Sequence, residues 1–245
     1  MDIIDVIILV VLVSFAIIGF KRGFFKSLIS FAGFLIVIVA AYIFKNYLGD
    51  IFLLNLPFFE FNTIAGGAVT LNIILYQLIA FMIMLIVFGL VYKFVIAITG
   101  LFEKILKATV ILGIPSKIGG LIFGALEGIV IVYLLLFFLA QPFIKVNLLE
   151  NSTLSKTILN GTPVLSNYAE DTLVIINEVS ETINVEEGED LNLKIADLIL
   201  KRKVTTPEIM QQLVDMKKIE VEGIEEVINN YKGEDVSDKV SEEEL

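Results

Sequence analysis

Residues 119–128 read GGLIFGALEG and hold the strongest structural signal in the sequence. Gly120, Gly124 and Gly128 recur at every fourth position, so a helix would carry all three on one face. A second helix backbone can come close to such a face, and close packing over small residues is what associates helices in lipid. The stretch therefore predicts a helix contact inside a membrane. The partner helix could come from this chain or from another copy.

The glycines belong to one of four long apolar segments. A helix crosses a hydrocarbon core of about 30 Å with about 20 apolar residues, and residues 3–20, 27–44, 68–92 and 118–144 meet this length. Backbone polar groups in lipid must be bonded within their own segment, so each segment is predicted to be helical. Residues 51–61 are too short to span and are predicted to lie at the outer interface or to dip back into the membrane, with a plain connecting loop as the alternative. The fold class is all-α, a polytopic membrane protein with four transmembrane helices and an acidic, helical tail.

Composition supports this class and excludes several kinds of chemistry. Apolar residues make up 57% of the 245 residues and charged residues 19%, against about 45–50% and about 25% in soluble domains. The chain has no Cys and no His. This excludes disulfides, thiol nucleophiles and Ser-His-Asp triads and removes the preferred ligands of zinc, although carboxylate sites for magnesium or calcium stay open. We expect no enzyme activity, catalytic residue, cofactor or metal.

The net charge of −10 is divided unevenly along the chain. Residues 1–145 hold nine Lys and Arg against six Asp and Glu, a net charge of +3, whereas residues 146–245 hold nine against twenty-two, a net charge of −13. The predicted domains are a four-helix transmembrane module over 1–145, an amphipathic acidic tail over 146–232 and a disordered acidic end over 233–245. Neither half has the basic surface that nucleic acid requires, so nucleic acid is not an expected partner.

The acidic tail has the apolar spacing of short helices. Leu191, Ile195 and Ile199 recur at helical intervals, and Thr206 followed by Pro207 is typical of a helix start. We expect these helices to pack on each other weakly or to fold against a partner. The apolar stripes of the two following helices are Ile209, Leu213 and Met216, and then Ile224, Val227 and Ile228.

Basic residues in the short loops predict the orientation. The second loop holds Lys45 alone, so the first and third loops are predicted to be cytoplasmic by the positive-inside rule. This places the amino terminus and the acidic tail outside. The residues that set this topology are Lys21, Arg22 and Lys26 in the first loop and Lys93, Lys104, Lys107 and Lys117 in the third.

Polar groups within the predicted spans need a reason, because a charge there costs about 2.5–3.5 kcal/mol on insertion scales. Glu127 lies in the middle third of its helix, beside Gly128. It is either a proton or cation site, or a protonated or hydrogen-bonded contact between helices, which we favour because one isolated acid is a poor ion pathway. Asn72 and Gln77 are its candidate partners, and no Lys or Arg within a span can serve as its counter-ion. Asp5 is assigned an interfacial or capping role.

These features together resemble the colicin V production protein family. The first helix has an Asp near its start and ends in residues 19–24, GFKRGF, and the fourth begins with residues 115–120, PSKIGG. Residues 152–155 and 163–165 are also similar to that family, and the resemblance covers residues 1–175. The matched positions, which include a second pair of glycines spaced by four, are Asp5, Gly19, Arg22, Gly23, Gly119, Gly120, Gly124 and Gly128.

The resemblance implies a four-helix protein of the bacterial inner membrane associated with production or export of a peptide toxin. We therefore expect a non-enzymatic scaffold or assembly factor that supports toxin or bacteriocin production or export and envelope function. A small transporter or channel that uses Glu127 is the alternative, and a membrane enzyme comes third. The expected partners are the lipid bilayer and either further copies of the chain or other membrane proteins.

Overall fold

The computed structural model describes residues 2–60, 68–99, 113–139, 152–161, 178–179, 181–183 and 188–232. The helices are α1 (Ile3–Arg22), α2 (Phe24–Asn55), α3 (Leu71–Thr99), α4 (Gly113–Leu139), α5 (Thr153–Gly161), α6 (Gly188–Lys201), α7 (Pro207–Asp215) and α8 (Ile224–Tyr231). Every regular element in these ranges is helical, so the all-α class is confirmed. The end segment 233–245, predicted to be disordered, lies outside them.

Four helices are long and apolar enough to cross a membrane, namely Ile3–Arg22, Phe24–Asn55, Leu71–Ala97 and Ile114–Leu139. Between 17% and 33% of the residues in their most apolar windows are buried inside the protein. Most of their apolar surface therefore faces outward, which water would penalise and lipid accepts. The chain is a polytopic membrane protein with four transmembrane helices, as the sequence predicts.

Helix α2 is longer than the sequence indicates. The apolar run stops at Phe44, but the helix continues to Asn55. Its 32 residues reach about 48 Å at ~1.5 Å per residue, well beyond a hydrocarbon core of about 30 Å. The prediction that residues 51–61 form a separate interfacial segment is therefore wrong for 51–55. The reason is tertiary, because Leu53 is buried in a core shared with the tail.

The four long helices pack in an order that differs from their order in the chain. Helix α1 packs chiefly against α4, and α3 chiefly against α2, while α4 also contacts α2. Gly23 both ends α1 and precedes α2, with φ of 78°, a backbone conformation that favours glycine. The chain thus leaves one span and enters the next within a single residue, and α4 lies between α1 and α2.

Helices α6, α7 and α8 build an apolar core that is continuous with the membrane module. Leu191, Ile195 and Ile199 of α6 are completely buried, as their spacing predicts. The same core includes Leu53 near the end of α2 and Leu71 at the start of α3. The tail helices therefore pack on each other, and the ends of α2 and α3 supply the apolar surface that the sequence left to be found in a partner.

The start of α7 follows the prediction, and its apolar stripe does not. Thr206 caps the helix by accepting a hydrogen bond from the N–H of Ile209 at 3.3 Å, and Pro207 is the first helical residue. Met216, however, is 50% exposed, and Met210 is buried in its place. The reason is that α7 ends at residue 215, so Met216 has left the helical register.

Candidate functional site

The glycine face of α4 meets α1 of the same chain. A Cβ atom added to Gly124 would lie 2.8 Å from the Cα of Gly19, and one added to Gly120 would lie 2.8 Å from the Cα of Gly23. These distances are too short for carbon atoms that are not bonded to each other. Gly19, Gly23, Gly120 and Gly124 therefore make one backbone-to-backbone contact, which we call the glycine seam.

Two further glycines of α4 lie at the edges of the seam. A Cβ on Gly119 would lie 2.5 Å from a ring carbon of Phe24, and one on Gly128 would lie 2.9 Å from the Cβ of Phe15. Ser116 supports the same region, because its Oγ accepts a hydrogen bond at 3.1 Å from the backbone N–H of Phe24. Helix α4 thus contacts both α1 and the first turn of α2.

Glu127 lies next to the seam and joins three helices. Its Oε2 is 3.4 Å from Nη1 of Arg22 in α1, and its Oε1 accepts a hydrogen bond at 3.2 Å from the Oγ of Ser30 in α2. Nη1 of Arg22 also donates to the Oγ of Ser30, at 3.2 Å. We call Arg22, Ser30 and Glu127 the polar triangle. Close by, the Tyr92 hydroxyl donates to the carbonyl of residue 29, which attaches α3 to α2 beside Ser30.

Arg22 is the counter-ion that the sequence prediction had excluded. It is the last residue of α1, but an arginine side chain is long enough to reach past its own turn. The side chain of Arg22 is 35% exposed and that of Glu127 is 12% exposed, so the pair joins the protein interior to its surface. The prediction that no Lys or Arg can serve as the counter-ion of Glu127 is therefore wrong, and with it the reason for expecting a protonated acid.

Neither predicted amide partner reaches Glu127. Asn72 instead accepts a hydrogen bond from the N–H of Phe59 at 2.8 Å and donates to its carbonyl at 2.9 Å. Nε2 of Gln77 donates to Oδ1 of Asp50 at 3.3 Å. Both amides lie in the first two turns of α3, at the end where the tail packs. Glu127 is about 18 Å from that end of α4, at ~1.5 Å per residue.

Asp5 connects the start of α1 to the start of α5. It is 5% exposed, and its Oδ1 accepts hydrogen bonds from the Oγ of Ser152 at 2.6 Å and from the N–H of Leu154 at 3.1 Å. Its Oδ2 accepts from the N–H of Asp2 at 3.1 Å and completes a capping box on α1. The carboxylate therefore bonds the free N–H groups at two helix starts, which is the chemistry of a cap.

Lys218 fastens the tail to the end of α2. Its Nζ donates hydrogen bonds to three backbone carbonyl oxygens, those of Leu53 at 2.7 Å, Leu54 at 2.8 Å and Leu56 at 2.9 Å. The last carbonyls of a helix lack intrahelical partners and carry partial negative charge, so an ammonium suits them. Desolvation lowers the pKa of Lys218 from its ordinary value of 10.5, and the carbonyl oxygens offset part of that cost.

A second tail residue makes polar contacts with the start of α3. Oδ1 of Asn192 accepts hydrogen bonds from both the N–H and the hydroxyl of Thr70, each at 3.1 Å. We call Lys218 and Asn192, with the helix ends they bind, the tail junction. Sequence reasoning missed both residues, and it also missed Ser30 and Asp50. The sole signal for Lys218 was its position in a short gap between two amphipathic helices.

The topology-setting lysines that the structure describes lie at the opposite end of the bundle from the tail. Lys21 is in the last turn of α1, Lys26 is in the first turn of α2, and Lys117 is in the first two turns of α4. Nζ of Lys117 is 5.8 Å from the ring centroid of Phe20. Two other predicted residues of this set, Lys104 and Lys107, lie outside the described residues.

The contacts of these groups, as the described residues show them, join helices to each other. Across the described ranges, no group of three or more acidic residues gathers as a metal site would require. Ser30 and Ser152 each donate to a carboxylate, but the sequence holds no His to act as the base of a Ser-His-Asp site. The polar triangle neutralises a charge inside the bundle and fixes α1, α2 and α4 to each other.

The fold and the site define a four-span helical membrane protein with a backbone seam and an internal ion pair. The chain belongs to the Colicin V production protein family, which matches residues 4–163. The glycine seam, the polar triangle and Asp5 all lie in that region, and α6 to α8 lie beyond it. The family resemblance seen in the sequence is thus confirmed.

One curated relative shows the same kind of protein. The chain is 28% identical over 174 residues to "Uncharacterized transmembrane protein YshB" of Bacillus subtilis (strain 168). The match covers 68% of this chain and 95% of that protein. No solved structure matches the chain.

Proposed function

We propose that this protein is a non-enzymatic scaffold or assembly factor of the bacterial inner membrane, and that it supports production or export of a peptide toxin together with envelope function. The name of the family, Colicin V production protein, supports the connection to a toxin. The way in which the membrane module uses its polar groups supports the scaffold role.

The polar triangle is the observation that carries this proposal. Both oxygens of Glu127 are engaged by side chains of neighbouring helices, at 3.4 Å from Arg22 and 3.2 Å from Ser30. An acid in an ion pathway has to exchange its partners for the transported ion. Here the acid borders the glycine seam, where the backbones of α1 and α4 leave no room for a methyl group. Such a site suits a rigid helix bundle, as a scaffold requires.

The tail extends the helix bundle beyond the membrane. Asp5 bonds α5 to the start of α1, so the amino terminus and α5 share one end of the bundle. The basic residues at the other end favour a cytoplasmic position for that end, and this supports a tail that lies outside. Glu220, Glu222 and Glu225 are exposed on the tail, and this acidic surface is available to contact other components of the envelope.

Transport is a second candidate, and one observation favours it. Two polar side chains converge on Glu127, and one of them, Arg22, is 35% exposed. A proton or cation could reach the acid along this exposed side chain. The two functions make opposite demands on the titratable group at position 127, because a scaffold needs its hydrogen bonds and a transporter needs its charge.

Replacement of Glu127 in the producing bacterium tests the proposal. Glu127→Gln keeps the shape, and its Oε1 can accept from Arg22 while its Nε2 donates to the Oγ of Ser30. We therefore expect secreted toxin activity, and the resistance of the cells to detergent, close to wild type. Glu127→Lys places a second cation beside Arg22, and we expect loss of both. Membrane abundance of each variant is the control. An abundant Glu127→Gln protein without function would refute the scaffold role and favour transport.

The partners of the scaffold are expected to be further copies of the chain or other membrane proteins. Cross-linking in intact cells, followed by purification in a mild detergent, identifies them. We expect the wild type and Glu127→Gln to capture the same set. A wild-type chain that is recovered uncross-linked, from cells that secrete toxin normally, would contradict an assembly role.

A further inference from the structure

Positive charge gathers where α1 ends and α4 begins. Lys21 and Lys117 are exposed there, and Arg22 is half-buried between them and the polar triangle. The acidic side chain that contacts this group is Glu127, which lies deeper in the bundle and is paired with Arg22. The excess positive charge therefore comes from the lysines. We call Lys21, Arg22 and Lys117 the basic patch.

The length of α1 sets the depth of this patch in the bilayer. Its 20 residues measure about 30 Å at ~1.5 Å per residue, which equals the thickness of the hydrocarbon core. The two ends of α1 therefore lie at the two boundaries of the hydrocarbon. Because Lys21 lies in the last turn of this helix, its ammonium can reach the lipid phosphates. The guanidinium of Arg22 turns back toward Glu127 inside the bundle, and its exposed part faces the same boundary.

Lipid-facing apolar side chains adjoin the patch. Ile18, Ile118 and Ile122 are 39%, 53% and 52% exposed, and Phe20, whose ring lies under Nζ of Lys117, is 38% exposed. A free anion gains nothing from this surface. A phospholipid uses both parts, because its phosphate meets the cations while its acyl chains lie along the isoleucines.

Arg22 has donors left for such a headgroup. A guanidinium carries five N–H donors in a planar fork. Within the described ranges, the contacts of Arg22 to Ser30 and Glu127 both use Nη1. The rest of the side chain is 35% exposed, and its remaining donors match the oxygens of a phosphate.

We propose that the basic patch is a binding site for the headgroup of an anionic phospholipid, with the acyl chains held against Ile118 and Ile122. Occupation of this site places a lipid against the side chain that holds Glu127. Bound lipid thus contacts the exposed side of Arg22 and stabilises its contacts with Glu127 and Ser30. The proposal stands independently of the scaffold role and of which leaflet faces the cytoplasm.

Titration of the purified full-length chain with phosphatidylglycerol, followed by native mass spectrometry, tests the site. Phosphatidylcholine is the neutral comparison, and millimolar inorganic phosphate is the free-anion comparison. Each lysine near an anionic surface contributes about fivefold in affinity, so Lys21→Gln with Lys117→Gln should weaken phosphatidylglycerol binding about 25-fold. The matched control removes two exposed tail lysines, Lys201→Gln with Lys217→Gln, and should leave the affinity unchanged.

Two further variants keep the test decisive. Lys21→Arg with Lys117→Arg keeps the charge and should retain the lipid. If the double glutamine variant does not fold, Lys117→Gln alone should lower the affinity about fivefold. Equal affinity for phosphatidylglycerol and phosphatidylcholine would overturn the proposal. So would equal weakening by the tail control, or displacement of the lipid by inorganic phosphate.

Discussion

The two ends of the helix bundle are held together by different forces. At the basic end, α1 and α4 touch backbone to backbone along the glycine seam, and the polar triangle adds α2. At the tail end, single side chains reach across to helix termini, as Lys218 does to the last carbonyls of α2. Packing in lipid has no aqueous competitor, whereas water can replace a polar contact at the membrane boundary. The basic end should therefore be the less tolerant of change.

Gly124→Leu breaks the basic end and should have the largest effect. Its first side-chain carbon would lie 2.8 Å from the Cα of Gly19, so the helices have to separate, at a cost of about 3 kcal/mol, the upper end of the usual range for overpacking. We expect a large fall in the thermal unfolding midpoint in detergent. Gly89→Leu is the control, because a Cβ there meets nothing within 4 Å. Equal midpoints for the two variants would show that the seam does not hold the helices.

Lys218→Gln breaks the tail end and should have an intermediate effect. The change removes an ammonium that donates to three carbonyls, and a hydrogen bond to a charged group contributes a net ~1.5–3 kcal/mol. We expect the lower part of this range, because water reaches these carbonyls once the ammonium is gone. We expect faster hydrogen exchange over residues 188–232 with unchanged exchange in the four spans. Lys217→Gln removes the same charge from the neighbouring exposed position and should change neither. Faster exchange in the spans as well would show that the two ends are not separable.

Thr206→Ala removes the cap of α7 within the tail and should have the smallest effect. Loss of a helix cap costs about 1 kcal/mol, and Thr206→Ser, which keeps the hydroxyl, should restore the wild-type unfolding midpoint. Bonds from its own backbone N–H and from Thr206 lower the pKa of Glu208 from its ordinary 4.5. The ionised Glu208 therefore stabilises the folded tail at pH values above the ordinary pKa of 4.5. This stabilisation is lost as the pH falls through the lowered pKa of the folded protein. A cap effect as large as that of Gly124→Leu would contradict the ranking.

The sequence predicted the features that depend on a single segment of the chain. It missed the contacts that join two segments distant in the sequence. Apolar length identified the four spans, and the spacing of Gly120 and Gly124 identified a contact face without its partner. Arg22 and Glu127 are 105 residues apart, and Lys218 and Leu53 are 165 apart. Such pairs form because residues at the same depth in antiparallel helices lie next to each other. The depth of a residue depends on where its helix begins, which the sequence does not fix. Asn72 and Gln77 were wrongly paired with Glu127 for that reason.

The end of α2 shows a second limit of sequence reasoning. Hydropathy places its boundary at Phe44, because Lys45 and Asn46 interrupt the apolar run, but the helix continues to Asn55 and Leu53 is buried in the core shared with the tail. An apolar run measures contact with lipid and does not measure helix length. Hydropathy therefore underestimates the length of a helix that leaves the membrane and continues into a folded tail.

We infer that the polar triangle holds helices together and conducts no protons. Decay of an imposed pH gradient across proteoliposomes tests it most directly, with wild type, Glu127→Gln and protein-free vesicles compared side by side. We expect all three to lose the gradient at the same rate, with both proteins folded in the vesicles. A wild-type rate well above that of empty vesicles, abolished by Glu127→Gln, would contradict the claim.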